Sequence, residues 1–296
     1  MFLKAKSEQQ STDGTWKFLW ELSDGETIES VIIPRQTAKG MRYTACISSQ
    51  VGCAMGCTFC LTGTQGLIRN LTVDEVVAQV RMLKKYAPIT NIVFMGMGEP
   101  LHNTDNVIAA IKVFLHSDEF KFSRRRILVS TSGRVTEIER LGHETGVALA
   151  ISLNGSSNAV RSQVMPINRK WPIEELLEAC RKYPVSSSRP ITFEYVLLKG
   201  VNDSTQDAAQ VFELLSRFCS EMGGKVNLIP YNPHPGSQFQ RTEDANVKAF
   251  QHYLISRGMS ATVRKSRGSD ILAACGQLRS APEVGYSYRD ESRASH

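Results

Sequence analysis

The 296-residue chain has no run of about 18 apolar residues, and its start is not a basic stretch leading into an apolar one. Neither a membrane span nor a secretory leader is therefore expected. Internal repeats, low-complexity tracts and interdomain linkers are also missing, so a repeat array or a string of modules is not expected. Neither sign of charge dominates: 35 Lys and Arg against 29 Asp and Glu leave +6, which permits a polyanionic partner without requiring one. Cysteine is scarce and odd in number. Three of the seven are bunched together, which argues against a secreted disulfide framework and for a reducing cytoplasm. A hydrophobic content of 42% is enough for one full core, and α/β barrels reach this length undivided.

Residues 1–41 read as a β-rich extension. Trp16-Lys17-Phe18-Leu19-Trp20 and Ile28-Glu29-Ser30-Val31-Ile32-Ile33 alternate or run apolar, and Asp24-Gly25 between them signals a turn, so a hairpin laid against a larger body is expected. From 42 onward short apolar runs alternate with amphipathic stretches. Strands are expected over 43–48, 91–95, 126–130, 147–153, 191–197 and 225–229. Thr72 and Glu75 form a capping box ahead of a helix with Val73, Val76, Val77, Val80 and Leu83 on one face. Pro172 opens another with Ile173, Leu176, Leu177 and Cys180 on its apolar side, and Val211, Leu214, Leu215 and Phe218 mark a third. Six strand-then-helix units predict a parallel sheet closed or nearly closed into a barrel, over 42–280, with 281–296 as a loose tail. In such barrels chemistry sits at the carboxyl ends of the strands, and here five of the six strands end in a polar or glycine-rich break.

The first break holds Gly52-Cys53-Ala54-Met55-Gly56-Cys57-Thr58-Phe59-Cys60, a C-x3-C-x2-C pattern. Three thiolates this close can bind one soft metal centre, yet a closed zinc site takes four ligands, and in ferredoxins each cubane iron has its own cysteine. Three cysteines on a [4Fe-4S] cluster leave one iron open for a cofactor or substrate. The competing reading is a zinc site completed by Cys46 or His102.

The second break, Gly96-Met97-Gly98-Glu99-Pro100, suits a bound primary ammonium: Gly98 lets backbone approach, Glu99 offers acceptors, and Pro100 stiffens the exit. An ordinary turn would look the same. Ser130, Asn232 and the stretch Ser152 to Asn154 line the same mouth, as ligands or as capping residues. Cys180 and Cys219 read as small core residues. Cys46 lies on the first barrel strand near the metal end, and Cys275 follows the cationic run Arg264, Lys265, Arg267, where positive charge favours a thiolate. Core packing is the alternative for Cys275.

The phrases Cys46-Ile47-Ser48-Ser49-Gln50-Val51-Gly52-Cys53, Met95-Gly96-Met97-Gly98-Glu99-Pro100-Leu101, Ser130-Thr131-Ser132-Gly133, Met165-Pro166-Ile167-Asn168, Ile229-Pro230-Tyr231-Asn232-Pro233 and Ala273-Ala274-Cys275-Gly276-Gln277-Leu278 resemble the radical SAM RNA adenine methyltransferases of the RlmN/Cfr family, in order, over 16–280. The resemblance implies a partial (β/α)6 TIM-like barrel. It implies a [4Fe-4S] cluster on Cys53, Cys57 and Cys60, and S-adenosyl-L-methionine held by Gly98, Glu99, Ser130, Ser152, Leu153, Asn154 and Asn232. Asn154 stands where some relatives carry His. Cys275 is implied as the methyl-carrying residue, Cys46 as its disulfide partner, and Glu29 as a proton acceptor.

The implied reaction methylates C2 of an adenine in 23S rRNA, with tRNA as a further target. That carbon is electrophilic, so polar transfer from a sulfonium methyl fails and a radical must attack. One cofactor molecule methylates Cys275, and a 5′-deoxyadenosyl radical from a second activates that methyl. Cys46 then releases the product by forming a disulfide. An electron donor such as flavodoxin or ferredoxin and a monomeric, cytoplasmic enzyme are implied with it. Family members usually carry a helical accessory domain before the barrel, and none is read here. Phosphate contacts are then expected from Arg124-Arg125-Arg126, Arg161, Arg189, Arg241, Lys265 and Arg267, although the arginine triplet also reads as a solvated face. Methylation at C8, another RNA target, and a metal-stabilised RNA-binding module are the alternatives.

Overall fold

A computed structural model describes residues 3–38, 40–186 and 189–279, so the expected tail over 281–296 lies outside the described residues. The chain opens with an antiparallel meander, β1 (Lys4–Gln10), β2 (Trp16–Glu21), β3 (Thr27–Thr37) and β4 (Gly40–Cys46). Phe18 and Trp20 alternate inward from β2, are fully buried and stack at 5.1 Å. The expected hairpin is thus three strands, and it is not a separate layer. β4 pairs with β3 on one side and runs parallel to β7 (Asn91–Phe94) on the other, making one continuous sheet.

Beyond β7 the sheet continues in parallel through β8 (Ile127–Thr131), β9 (Ala148–Ser152), β10 (Ile191–Leu197), β11 (Gly224–Pro230) and β12 (Ala261–Val263). All six expected strands are present, with Arg124–Arg126 forming a 3-10 turn rather than the start of β8. The three-residue β12 adds a seventh parallel strand. β1 and β12 are the two ends of the ten-strand order, so the barrel is partial. A second, two-stranded sheet pairs β5 (Gln50–Gly52) with β6 (Leu67–Asn70).

The helices are α1 (Val73–Leu83), α2 (Thr104–His116), α3 (Val135–Thr145), α4 (Asn158–Val164), α5 (Ile173–Arg181), α6 (Thr205–Met222) and α7 (Asp244–Ile255). Neighbours pack in series, α1 on α2, α2 on α3, α3 on α5, α5 on α6 and α6 on α7, as a belt on the sheet. The capping box of α1 forms as its sequence requires, and a second one, Ser204 with Asp207, starts α6. Cys180 is fully buried, and Cys219 packs half-buried against the core. Among the described residues no helix is long and apolar enough to cross a membrane.

Candidate active site

After β4 the chain turns through β5, makes the cysteine loop and returns along β6. The neck of that loop is pinched: Cys53 N donates to Gly66 O at 2.8 Å. At Gly52, with φ +73°, a Cβ would sit 1.9 Å from the same oxygen, so only glycine fits. Thr58 N donates to Val164 O at 3.0 Å, tying one side of the loop to α4. On the other side Leu61 N donates to Gly276 O at 2.8 Å, and Thr62 Oγ1 to Leu278 O at 2.6 Å, binding the loop to the Cys275 segment.

Cys53, Cys57 and Cys60 line one cavity of about 140 Å³ at the carboxyl ends of the strands. Neither proposed fourth zinc ligand reaches them in the required way. His102 Nδ1 lies 2.9 Å from Gln50 Nε2, and Cys46 opens onto a different cavity. Burial pushes the Cys53 thiol up to about 12 and raises those of Cys57 and Cys60. Binding iron would replace three protons here. A soft three-thiol donor set facing a cavity fits a cluster with one iron left uncapped.

Another part of the same cavity wall is built on Glu99. Its Oε1 accepts from Leu101 N at 3.0 Å and Thr131 Oγ1 at 2.7 Å, and its Oε2 from Ser132 N at 2.7 Å. Burial raises the pKa of this carboxyl group, and the Ser132 and Thr131 donors oppose the rise. Gly98, with φ +93°, comes so close to Gln50 that a Cβ would lie 2.5 Å from that side chain. Gly98, Glu99, Ser130, Ser152, Asn154 and Asn232 all line the cavity. Ser132 Oγ is buried in this wall beside Glu99, a polar position suited to a polar cofactor. Thr131 and Ser132 sit in the Ser-Thr-Ser-Gly phrase, whose Ser130 alone is singled out by sequence.

Two expected contacts do more internal work than the sequence suggests. Asn154 Oδ1 accepts from Val196 N at 2.8 Å, while Asn232 Oδ1 accepts from Ser266 Oγ and its Nδ2 donates to Cys275 O at 3.3 Å. Asn232 thereby pins the Cys275 segment to the end of β11. Leu153 is fully buried and is not part of the cavity wall; its carbonyl accepts from Arg161 Nε at 3.0 Å.

A second cavity, of about 560 Å³, runs along the barrel interior from Cys275 toward the amino ends of the strands, past Thr44, Thr192 and Lys225. Cys275 lines both cavities, whereas Cys46 lines only the second. Both are free thiols. Burial pushes Cys46 up to about 12 and raises Cys275, with the Arg264 guanidinium pulling both the other way. Arg264 and Glu194 also line both cavities. Glu194 accepts from Asn227 Nδ2 at 2.8 Å, and burial raises its pKa against the pull of Arg264. Its sequence signal is a lone acid inside the otherwise apolar run of β10.

Glu29 lines neither cavity. It is buried on β3, pairs with Lys17 Nζ at 3.1 Å and accepts from Arg279 N at 2.8 Å, close in sequence to Cys275. Its pKa is raised because burial outweighs Lys17.

The expected phosphate contacts divide sharply. Lys265 and Arg267 lie at the second cavity, joined there by Arg35, Arg42 and Lys225, which sequence reasoning missed because they come from three separate strands. Arg161 is a correction. It is fully buried, and its guanidinium donates to the carbonyls of Leu153, Ser132 and Ser152 and to Asn168 Oδ1, leaving no donor facing outward for a phosphate. Arg124 and Arg126 donate to Thr145 O and Thr90 O, and Arg241 lies 3.6 Å from Asp244. Arg189 makes a one-residue bridge with Ser186.

Residues 47–212 match the model of the Radical SAM superfamily. Dual-specificity RNA methyltransferases RlmN from Geotalea uraniireducens and Geobacter sulfurreducens are each 50% identical over 94% of this chain, covering 78% and 75% of those proteins. A radical SAM methyltransferase from Sphaerobacter thermophilus superposes with a TM-score of 0.85 at 46% identity, over 94% of this chain and 81% of that one. With the three-cysteine loop at the strand ends and Glu99 in the wall of the same cavity, the chain belongs to the radical SAM superfamily and, within it, to the RlmN family.

Proposed function

We propose that this chain methylates C2 of an adenine in 23S rRNA and in tRNA, with the transferred carbon carried on Cys275. The observation that carries the reading is that Cys275 stands in the wall between two cavities, one facing the three cluster cysteines and the other facing Cys46. The cofactors of the family are a [4Fe-4S] cluster and S-adenosyl-L-methionine; bound together, they supply a methyl group and a carbon radical.

The residues of the chain hold and time the rest. Cys53, Cys57 and Cys60 would hold the cluster, while Gly98, Glu99, Ser130, Ser132, Ser152 and the Asn154 turn would shape the cofactor site. Leu153 contributes backbone only, through the carbonyl fixed by Arg161. Asn232 positions Cys275 through its carbonyl. The larger cavity has room for a base, in keeping with small-molecule sites of ~300–1,000 Å³, and cations surround it for phosphates.

Radical addition leaves one odd electron on the ring, which would pass back to the oxidised cluster as the C2 proton leaves; on the closed-shell thioether that results, the Cys46 thiolate attacks Cys275 Sγ. An S–S bond forms and the C–S bond breaks, its electron pair passing to the carbon, which is protonated to the new methyl. Glu29 is the proposed final acceptor of the ring proton; it lines neither cavity and meets the Cys275 end of the chain only through Arg279 N, so the proton would reach it through a relay. A disulfide made at each turnover must be reduced again, which fits a cytoplasmic setting. We place the enzyme there as a monomer, with 42–280 carrying the reaction, 1–41 extending its sheet, and an external low-potential electron donor.

Incubating reconstituted variants with RNA fragments tests the division of labour. Cys46→Ala should accumulate a covalent protein–RNA adduct, and Cys275→Ala should form none. A Cys46→Ala protein with normal iron content and no adduct overturns the role of Cys46. Fragmentation of the product nucleoside showing the methyl at C8 overturns the C2 assignment.

A further inference from the structure

The cysteine loop reaches the surface at Ala54, Gly56 and Thr58, all exposed. Its inner side rests on a small apolar cluster that includes Phe59, Met165 and Ile167, against which Met55 and the half-buried Trp171 also pack. Trp171 is framed by cations: Lys170 Nζ lies 4.3 Å from the ring centroid and Arg134 Cζ 5.7 Å. Arg134 Nε is buried without a partner. Arg169 and Lys170 are exposed, and among the described residues neither has an acid within ion-pair distance. At the neck of the loop, Leu67 and Ile68 are 37% and 56% exposed, two of the few large apolar side chains left open among the described residues. The reaction consumes electrons, and the groups described so far offer no store for them besides the cluster itself.

We propose that the surface at Trp171, Arg169 and Lys170, beside the cysteine loop, is the docking surface for an acidic, low-potential one-electron carrier protein. The inference rests on the radical reading above. Unpaired cations would steer an acidic partner, and an aromatic anchor ringed by charge is the usual centre of a protein contact. The carrier gives up one electron and the cluster gains it, with no bond or proton changing hands. Arg42 and Lys225 open at the amino ends of the parallel strands, whereas Arg134 and Trp171 follow carboxyl ends. The face thus lies at the other end of the parallel strands from Arg42 and Lys225, while Lys265 and Arg267 follow the carboxyl end of β12 and keep their RNA assignment.

The test uses a reduced flavodoxin as the acidic carrier and dithionite as a small reductant that needs no docking. In the double variant Arg169→Glu with Lys170→Glu, binding of oxidised flavodoxin at low ionic strength should weaken by about tenfold or more. Flavodoxin-driven 5′-deoxyadenosine formation should slow, while the dithionite-driven rate and RNA affinity stay at wild-type values. Equal slowing with both reductants overturns the docking role, because the change would then act on the cluster. Loss of RNA affinity with flavodoxin binding intact also overturns it, assigning the face to RNA. Wild-type protein that cleaves no cofactor even with dithionite overturns the radical reading itself.

Discussion

Arg161 shows how far a single side chain can depart from its sequence signature. In sequence it is one more cation on a helix; in the fold it is a buried cross-tie between the ends of β8 and β9, which both line the cofactor cavity. Burial brings its pKa down to about 10, so it stays charged at neutral pH. Arg161→Ala strands several buried acceptors at once, at about 1–3 kcal/mol each. A loss of ~3 kcal/mol or more in urea unfolding is expected, and Arg161→Lys should recover little of it because an ammonium lacks the planar fork. No periodicity or motif could have announced this, since its partners are mostly backbone carbonyls, which every residue possesses. Cys46 is the opposite case, placed near the metal end by its strand position alone. Its thiol, pushed up to about 12, is favoured in neutral form by the fold relative to an unfolded value of about 8.5. That contribution to stability is complete below the unfolded pKa and is lost as pH rises toward the folded one. Urea unfolding followed between pH ~8.5 and ~12 should therefore lose stability more steeply in the wild type than in Cys46→Ala.

The hairpin of β5 and β6 is the element that holds the cysteine loop, and Glu75 ties it to α1. Glu75 accepts from Thr72 N as half of the capping box of α1 and also takes both Arg69 Nη1 and Nη2, at 2.8 and 2.9 Å. Arg69 sits on β6 and reaches Asp24 as well, at 2.7 Å. Glu75→Ala should thus cost ~2 kcal/mol of stability, part cap and part ion pair. It should also speed bleaching of the cluster's visible absorbance in air, because β6 loses its tie to α1. Thr72→Ala removes the cap alone, should cost ~1 kcal/mol, and should leave the bleaching rate unchanged. The cap was legible, since Thr72 and Glu75 stand at the required spacing before an apolar face. The second role of Glu75 was not, because Arg69 belongs to a four-residue strand too short to show alternation. The same limit hid β12, whereas β10, with seven buried residues in seven, was plain. The meander was legible as strands but not as part of the main sheet, because the register that pairs β3 with β4, Thr37 opposite Gly40, carries no strong signal.

For the whole molecule, a net charge of +6 says little until its distribution is known. Many cations are spent internally or in surface pairs such as Arg81 with Glu119 and Lys112 with Glu144. Around the larger cavity the balance differs. Arg35, Arg42, Lys225 and Lys265 line it with no acid in ion-pair distance among the described residues, while Arg267 lies 3.9 Å from Asp13. Sequence could supply Lys265 and Arg267 because they are neighbours, but the others converge only when β3, β4 and β11 share a sheet. If these four neutralise phosphates, log affinity for an RNA fragment should fall with log salt at a slope between roughly −2.8 and −3.6. Arg42→Gln and Lys225→Gln should each flatten that slope by nearly 1, leaving the unfolding midpoint near wild type, since neither side chain is in an ion pair. Filter binding across a salt series measures this directly. An unchanged slope in both variants would show that RNA is gripped elsewhere, and the cavity would then admit the base without holding its backbone.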